Sequence, residues 1–250
     1  MKRGLLIGLV AVVFVWTLLV HAPAALVYGW IKARVAAVEL YGVDGQLGSG
    51  TAEGFSVNGR TIDERVKWDF QPWWLPLGRV AFHVEGTGLS QLNGGIQVGL
   101  GGLRLRGLQG NSDIKGLAGL VGYGFTPVNG AAQVDIALLQ LKNGAPVAAN
   151  GTVDVHGLSW ALSQNPVALG DFRATATTES DMIVIKIESP SGPLETSGDI
   201  KLTTKDNRYD VDLQLKPKGN PDPVLRNLLE SLGPTDPKGF YHLRRGGTLP

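Results

Sequence analysis

The feature that most limits how this chain can fold is an alternation of apolar and polar residues with period two. Between Tyr209 and Lys216, the apolar Tyr209, Val211, Leu213 and Leu215 alternate with Asp210, Asp212, Gln214 and Lys216. A strand sends successive side chains to opposite faces, so this segment has one buried face and one wet face. The same pattern marks strands at Arg79–Glu85, Gln133–Leu138, Thr152–His156 and Ile183–Glu188. Fainter versions run over Val35–Gly42, Thr51–Val57, Ile62–Phe70, Gly95–Leu100, Leu103–Leu108, Phe172–Thr177 and Leu194–Thr203. Lys205–Arg208, just before Tyr209, has the composition of a turn between antiparallel strands. The 35 glycines and 14 prolines suit many short strands better than long helices. The expected fold is mainly β. It has curved antiparallel sheets, half-barrel or sandwich-like, whose apolar face needs a second layer, a curl or a ligand to cover it.

Helical signals are few. Asp222 can cap a helix, Pro223 fits its first position, and Gly233-Pro234 ends it. Leu225, Leu228, Leu229 and Leu232 then form one apolar stripe, so the spacing predicts a short C-terminal helix over 222–232 that packs on the sheet. A turn of helix around Ile114–Val121 is weakened by its glycines. The sheet region divides into two similar stretches, about 35–129 and 130–217.

Ahead of the strands, Gly4–Val20 holds seventeen residues without a charge. As a helix it reaches roughly 26 Å, slightly short of a hydrocarbon core, and the apolar stretch from Ala24 to Trp30 extends it. Leu5, Leu6, Ile7, Leu9, Val10, Val12, Val13, Phe14, Val15, Trp16, Leu18, Leu19 and Val20 would make the lipid-facing surface of a transmembrane helix. Ala22-Pro23-Ala24 has the small-residue look of a signal-peptide cleavage site, but the apolar run outlasts an ordinary signal core. The expectation is an uncleaved anchor within residues 1–30, with Lys2 and Arg3 on the cytoplasmic side and 31–250 in the periplasm.

Chemistry-bearing patterns are missing. Twenty-three basic and 22 acidic residues leave no electrostatic footprint for nucleic acid. The absence of cysteine removes disulfides and thiolate metal sites. His21, His83, His156 and His242 show no metal-ligand spacing. Ser159 lacks the closing glycine of a nucleophile elbow, and the adjacent Asp63 and Glu64 would point to opposite faces of a strand. The clusters Gly99–Arg104 and Gly116–Gly124 match no phosphate-loop template. No catalytic residue, cofactor or metal is expected. The aromatic cluster Trp68, Phe70, Trp73 and Trp74, interrupted by Pro72 and Pro76, reads either as a plug for one end of the sheet or as a contact with a partner or with lipid headgroups. Trp73 and Trp74 are the candidate contact residues.

Several segments recur in a telling order. A proline, Pro23, follows the apolar run; then come Gly45-Gln-Leu-Gly-Ser-Gly-Thr-Ala52, Val57-Asn-Gly59 and Val66-Lys-Trp-Asp-Phe70. Further on stand Leu139-Gln-Leu-Lys-Asn-Gly-Ala-Pro-Val147, Leu169-Gly-Asp-Phe172 and Ser191–Gly198. The ending is Leu228-Leu-Glu-Ser-Leu-Gly-Pro-Thr-Asp-Pro-Lys-Gly-Phe-Tyr241. Together they resemble the type II secretion (general secretion pathway) protein N family. The resemblance implies a non-enzymatic, single-pass inner-membrane accessory of the machine that exports folded periplasmic proteins. Implied partners are the inner-membrane platform proteins, protein C or the outer-membrane secretin, together with membrane lipid. Curved sheets on an N-terminal anchor also look like AsmA-type envelope proteins, whose apolar groove is associated with lipid movement; a secreted enzyme is a third reading with no residues to support it.

Overall fold

The computed structural model describes residues 17, 20–31, 38–57, 60–62, 65–86, 90–115, 117, 127–161 and 166–249. Sixteen strands form two antiparallel sheets among these residues. The larger has thirteen strands and, from its third strand on, takes them consecutively in chain order. It comprises β2 (Asp44–Gly45), β3 (Ser49–Ala52), β6 (Val66–Phe70), β7 (Arg79–Gly86), β8 (Gln91–Gly99), β9 (Gly102–Asp113), β10 (Val128–Lys142), β11 (Ala145–Trp160), β12 (Val167–Glu179), β13 (Met182–Ser191), β14 (Leu194–Thr203), β15 (Arg208–Pro217) and β16 (Tyr241–Thr248). A three-stranded sheet joins β1 (Val38–Tyr41), β4 (Gly54–Val57) and β5 (Arg60–Ile62). The large sheet is open, with β2 at one edge and β16 at the other, and it runs without a break from β9 into β10. The mainly β expectation thus takes the form of one broad open sheet beside a small three-stranded one.

Register explains how the alternating pattern becomes a two-faced sheet. Residues directly opposite each other share a face. Leu108 pairs with Ile136, then in turn come Gly151, Ala176, Ile185, Ile200 and Val211, an apolar row across seven strands. One residue along, Gln109, Asp135, Thr152, Thr175, Lys186, Asp199, Asp212 and Arg244 make a polar row on the other face. In that row Asp199 directly opposes Asp212, a repulsive pairing. Lys201 lies 3.1 Å from Asp199, and Arg244 lies 3.2 Å from Asp212, so each carboxylate has its own cation.

The long strands keep one face inward only by resetting their phase. β10 shifts register against β11 between Asn129 and Ala131, between Ile136 and Leu138, and between Gln140 and Leu141. β11 shifts against β12 after Val155, where Gly157 takes φ 60°, a left-handed conformation that costs glycine little. Asp171 on β12 holds this bulge: one carboxylate oxygen accepts from Gly157 N–H at 2.8 Å, and the other accepts from the Ser191 hydroxyl at 2.7 Å. Those two bonds, Gly157 first, keep the Asp171 carboxyl below its ordinary pKa.

Two short helices lie outside the ladder: α1 (Ala24–Ile31) and α2 (Pro223–Glu230). The expected cap forms, with Asp222 accepting from Val224 N–H at 2.8 Å. Leu225 and Leu229 are buried against Val167 and Leu194, with Trp160, Phe172, Leu215, Leu232 and Tyr241 around them. Leu228, counted in the expected stripe, is instead 47 % exposed. A helix this short presents only about two turns, and Leu225, Leu229 and Leu232 fill the face that meets the sheet. Of the helix expected near Ile114–Val121, Ile114, Lys115 and Leu117 are helical and the rest lies outside the described residues.

After α2 the chain turns on Asp236 to deliver β16. Its carboxylate accepts from Lys238 N–H and Phe240 N–H, both at 2.9 Å, and stands 3.2 Å from His242 Nε2. The Lys216 ammonium sits 5.1 Å over the Phe240 ring and donates to the Lys238 carbonyl at 2.9 Å. The Asp236 carboxyl is held below the usual carboxylate range, chiefly by the Phe240 N–H, against a smaller cost of desolvation.

Two predictions follow from this closing segment. Leu229→Ala should lower stability by about 2–5 kcal/mol, whereas Leu228→Ala stays within about 0.5, read from urea unfolding. Because the folded Asp236 carboxyl titrates lower than the unfolded one, its contribution is complete above about pH 4 and is lost as pH falls through the folded pKa. The protection of the Tyr241–Thr248 amides, their exchange measured against the intrinsic rate at each pH, should therefore hold steady from neutral pH down to that point and fall below it. In Asp236→Asn that protection should be low already at neutral pH.

Candidate functional site

The apolar face of the sheet is covered at two places. At the strand ends that meet 192–193 and 218–240, α2 covers it. Over β6, β7 and β8, α1 and β1 roof a cavity of about 220 Å³ lined by Ala24, Tyr28, Leu40, Val43, Leu47, Trp68, Phe82, Val84 and Ile96. Its wall is apolar throughout. The Tyr28 hydroxyl turns away from it, accepting from Leu40 N–H at 2.7 Å. Water in such a space would find none of the polar partners that hold buried water. Phe70 and Phe82, a directly opposed pair, lie with ring centroids 5.4 Å apart beside it.

Glycines in the Gly45–Ala52 motif make this end possible. Gly48 N–H donates to the Val20 carbonyl and Leu47 N–H to the Ala22 carbonyl, each at 2.9 Å, and Pro23 bridges to Gln46. A Cβ on Gly48 would stand 2.6 Å from Val20 Cγ1, so the end of the N-terminal apolar run lies directly on this turn. Gly50 lies under the Trp68 ring, where a Cβ would strike the indole and stand 2.6 Å from the Asp44 carbonyl.

The strand ends opposite α2, near 71–78 and 100–101, are bare among the described residues. Trp73, Leu77 and Leu100 are 66 %, 64 % and 102 % exposed, and the opposed pair Val80 and Val98 is also exposed. Pro72–Leu77 forms a 3₁₀ turn against β7. It separates the two tryptophans singled out in the sequence. Trp74 is half-buried between Arg79 and Arg106, whose guanidinium carbons lie 6.0 and 5.7 Å from its ring centre, while Trp73 faces outward. Of the expected anchor residues, Val20 is described and the others, Leu5 to Leu19, lie outside the described residues. No helix among the described residues is long and apolar enough to cross a membrane.

The chemistry-bearing residues stay apart. His83, on the polar face, is 3.5 Å from Glu85, and His242 belongs to the Asp236 turn. Ser159 sits within β11, and Asp63 and Glu64 fall outside the described residues. Among the described residues no group of three or more His, Asp or Glu side chains could hold a metal. β16 was not anticipated in the sequence, because Tyr241-His-Leu-Arg-Arg-Gly-Gly-Thr248 lacks a sustained alternation.

The fold defines a class: an open antiparallel sheet with one apolar and one polar face, whose β2–β3 turn is bonded to the end of the N-terminal apolar run. The family model of type II secretion system protein N matches residues 36–244, and the chain belongs to that family. It is thereby a component of type II secretion. No curated protein and no solved structure matches it.

Gly50→Ala should displace Trp68 and cost about 1–3 kcal/mol, visible as a shift in tryptophan emission and in urea midpoint. Gly95→Ala, where an added Cβ meets nothing nearer than 3.5 Å, should leave both unchanged.

Proposed function

We propose that this chain is a non-enzymatic accessory scaffold of type II secretion, held in the inner membrane by Gly4–Val20 with its sheet in the periplasm. The observation that carries the reading is the free edge of β16. Its eight residues, Tyr241–Thr248, pair with β15 on one side and with no strand among the described residues on the other. An exposed edge offers a row of unpaired backbone groups that another chain can extend, and a partner strand gains affinity from that ladder. The opposite edge, β2, has two residues and lies beside α1, so it offers little. Arg244 and Arg245 are exposed on β16, which disfavours pairing with a second copy and suits a strand carrying acidic residues. The partners proposed are the inner-membrane platform proteins, protein C or the secretin.

The cavity under α1 favours a second reading, an AsmA-like lipid groove. Ligand clefts typically enclose about 300–1,000 Å³. A space of about 220 Å³ takes a stretch of one acyl chain, with the remainder of the lipid outside.

Photo-crosslinking in intact cells separates the two. Probes at His242 and Arg244 should capture the secretin or a platform protein, and a control probe at Lys186 on the interior strand β13 should not. Phospholipid adducts from Phe82 and Ile96, with no protein from β16, would overturn the scaffold and establish the groove.

A further inference from the structure

We infer that the bare strand ends near 71–78 and 100–101 rest on the membrane itself. Trp73, Leu77 and Leu100 enter the lipid interface, and Arg79 and Arg106 meet the phosphates. The inference rests on the proposed anchoring of Gly4–Val20, and it adds a second point of contact on the folded sheet.

Connectivity places these residues at the level where the apolar run ends. The Val20 carbonyl accepts from Gly48 N–H at 2.9 Å, and the Gly48 carbonyl accepts from Phe70 N–H at 2.7 Å. Gln71 follows and opens the turn that carries Trp73 and Leu77, its N–H bonded to the Ala81 carbonyl at 2.8 Å. Arg79 pairs with Gly99, so Leu100 lies at the same end of the strands. From β3 to the β8–β9 turn the sheet crosses β6, β7 and β8, so at about 4.8 Å per strand the rim lies up to about 19 Å to the side of the anchor. That displacement runs along the membrane plane.

The distribution of polarity agrees. Further across the sheet the same end carries polar turns: Asn143-Gly144, Ser180-Asp181 and Thr204–Asn207, with Lys205 paired to Asp181. Apolar turns are thus confined to the strands nearest the anchor. At the other end of the sheet an apolar surface is covered by α2, whereas nothing among the described residues covers Trp73, Leu77 and Leu100. Exposed tryptophan and leucine beside cations is the composition that settles at the headgroup level. Neither Arg79 nor Arg106 has a carboxylate partner among the described residues, so both are free to pair with phosphate.

The chain has no cysteine, so single cysteines report position without other changes. The full-length chain is reconstituted into phosphatidylethanolamine–phosphatidylglycerol vesicles carrying spin-labelled lipid. A fluorophore is placed in turn by Ala11→Cys, Leu77→Cys, Leu100→Cys and Ser231→Cys. Expected is severalfold stronger lipid quenching at 11, 77 and 100 than at 231, with aqueous iodide giving the reverse order. Trp73→Glu with Leu77→Glu should free the probe at 100 and leave the one at 11 quenched. A probe at 100 open to iodide while 11 is quenched by lipid overturns the rim contact and leaves the anchor standing. Shielding of 77 and 100 from both quenchers means a protein covers the rim, which also overturns it. An unquenched probe at 11 removes the anchoring and the rim contact with it.

Discussion

The cross-strand hydrogen-bond ladder, held in phase over thirteen strands, is the constraint on which everything else depends. Because opposed residues share a face, one phase error would send every later apolar side chain to the wrong side. The bulges in β8, β10, β11 and β12 are the places where phase is corrected, and Asp171 shows how closely one is specified. With the phase kept, the sheet acquires an unbroken apolar face and an ionic one. Among the described residues no second large sheet covers the first, and α1, α2 and the small sheet share that task.

Much of this was legible in the sequence. Leu194–Thr203 is a strand over the very residues its alternation marked, and Tyr209–Lys216 lies within β15. The cap and the start of α2 were readable from Asp222 and Pro223, while its end falls at Glu230, two residues short of the expected 232. What stayed hidden has physical causes. Thr51–Val57 and Ile62–Phe70 each read as one strand, yet each is split at a point where the chain passes between the two sheets. β10 and β11 were seen only in their central parts, and register shifts interrupt the alternation along both strands. β16 is built from arginines and glycines, and its pairing is imposed by the Asp236 turn that aims it.

The candidate surfaces were legible to a lesser degree. The sequence flagged Trp73 and Trp74 as a unit; a 3₁₀ turn gives them opposite roles, one packed between arginines and one presented to the outside. Val80 and Val98 join the bare rim only through a strand pairing that links residues far apart in the chain. The cavity under α1 brings together residues from 24 to 96, and no local pattern could have announced it. Gly48 and Gly50 were noticed as a motif, and their reason is that neighbours press directly on the backbone.

From β6 onward each strand is laid beside the one made just before it. Few pairings therefore wait for distant sequence, and the entropy lost in closing each loop is small. A chain emerging N-terminus first could add strands one at a time, each completing the edge left by the last. α2 and β16 follow the other strands of the sheet in the chain, so the apolar end that α2 covers would stay open until they emerge. Assembly of this kind has a direction, and it runs from β6 towards β16.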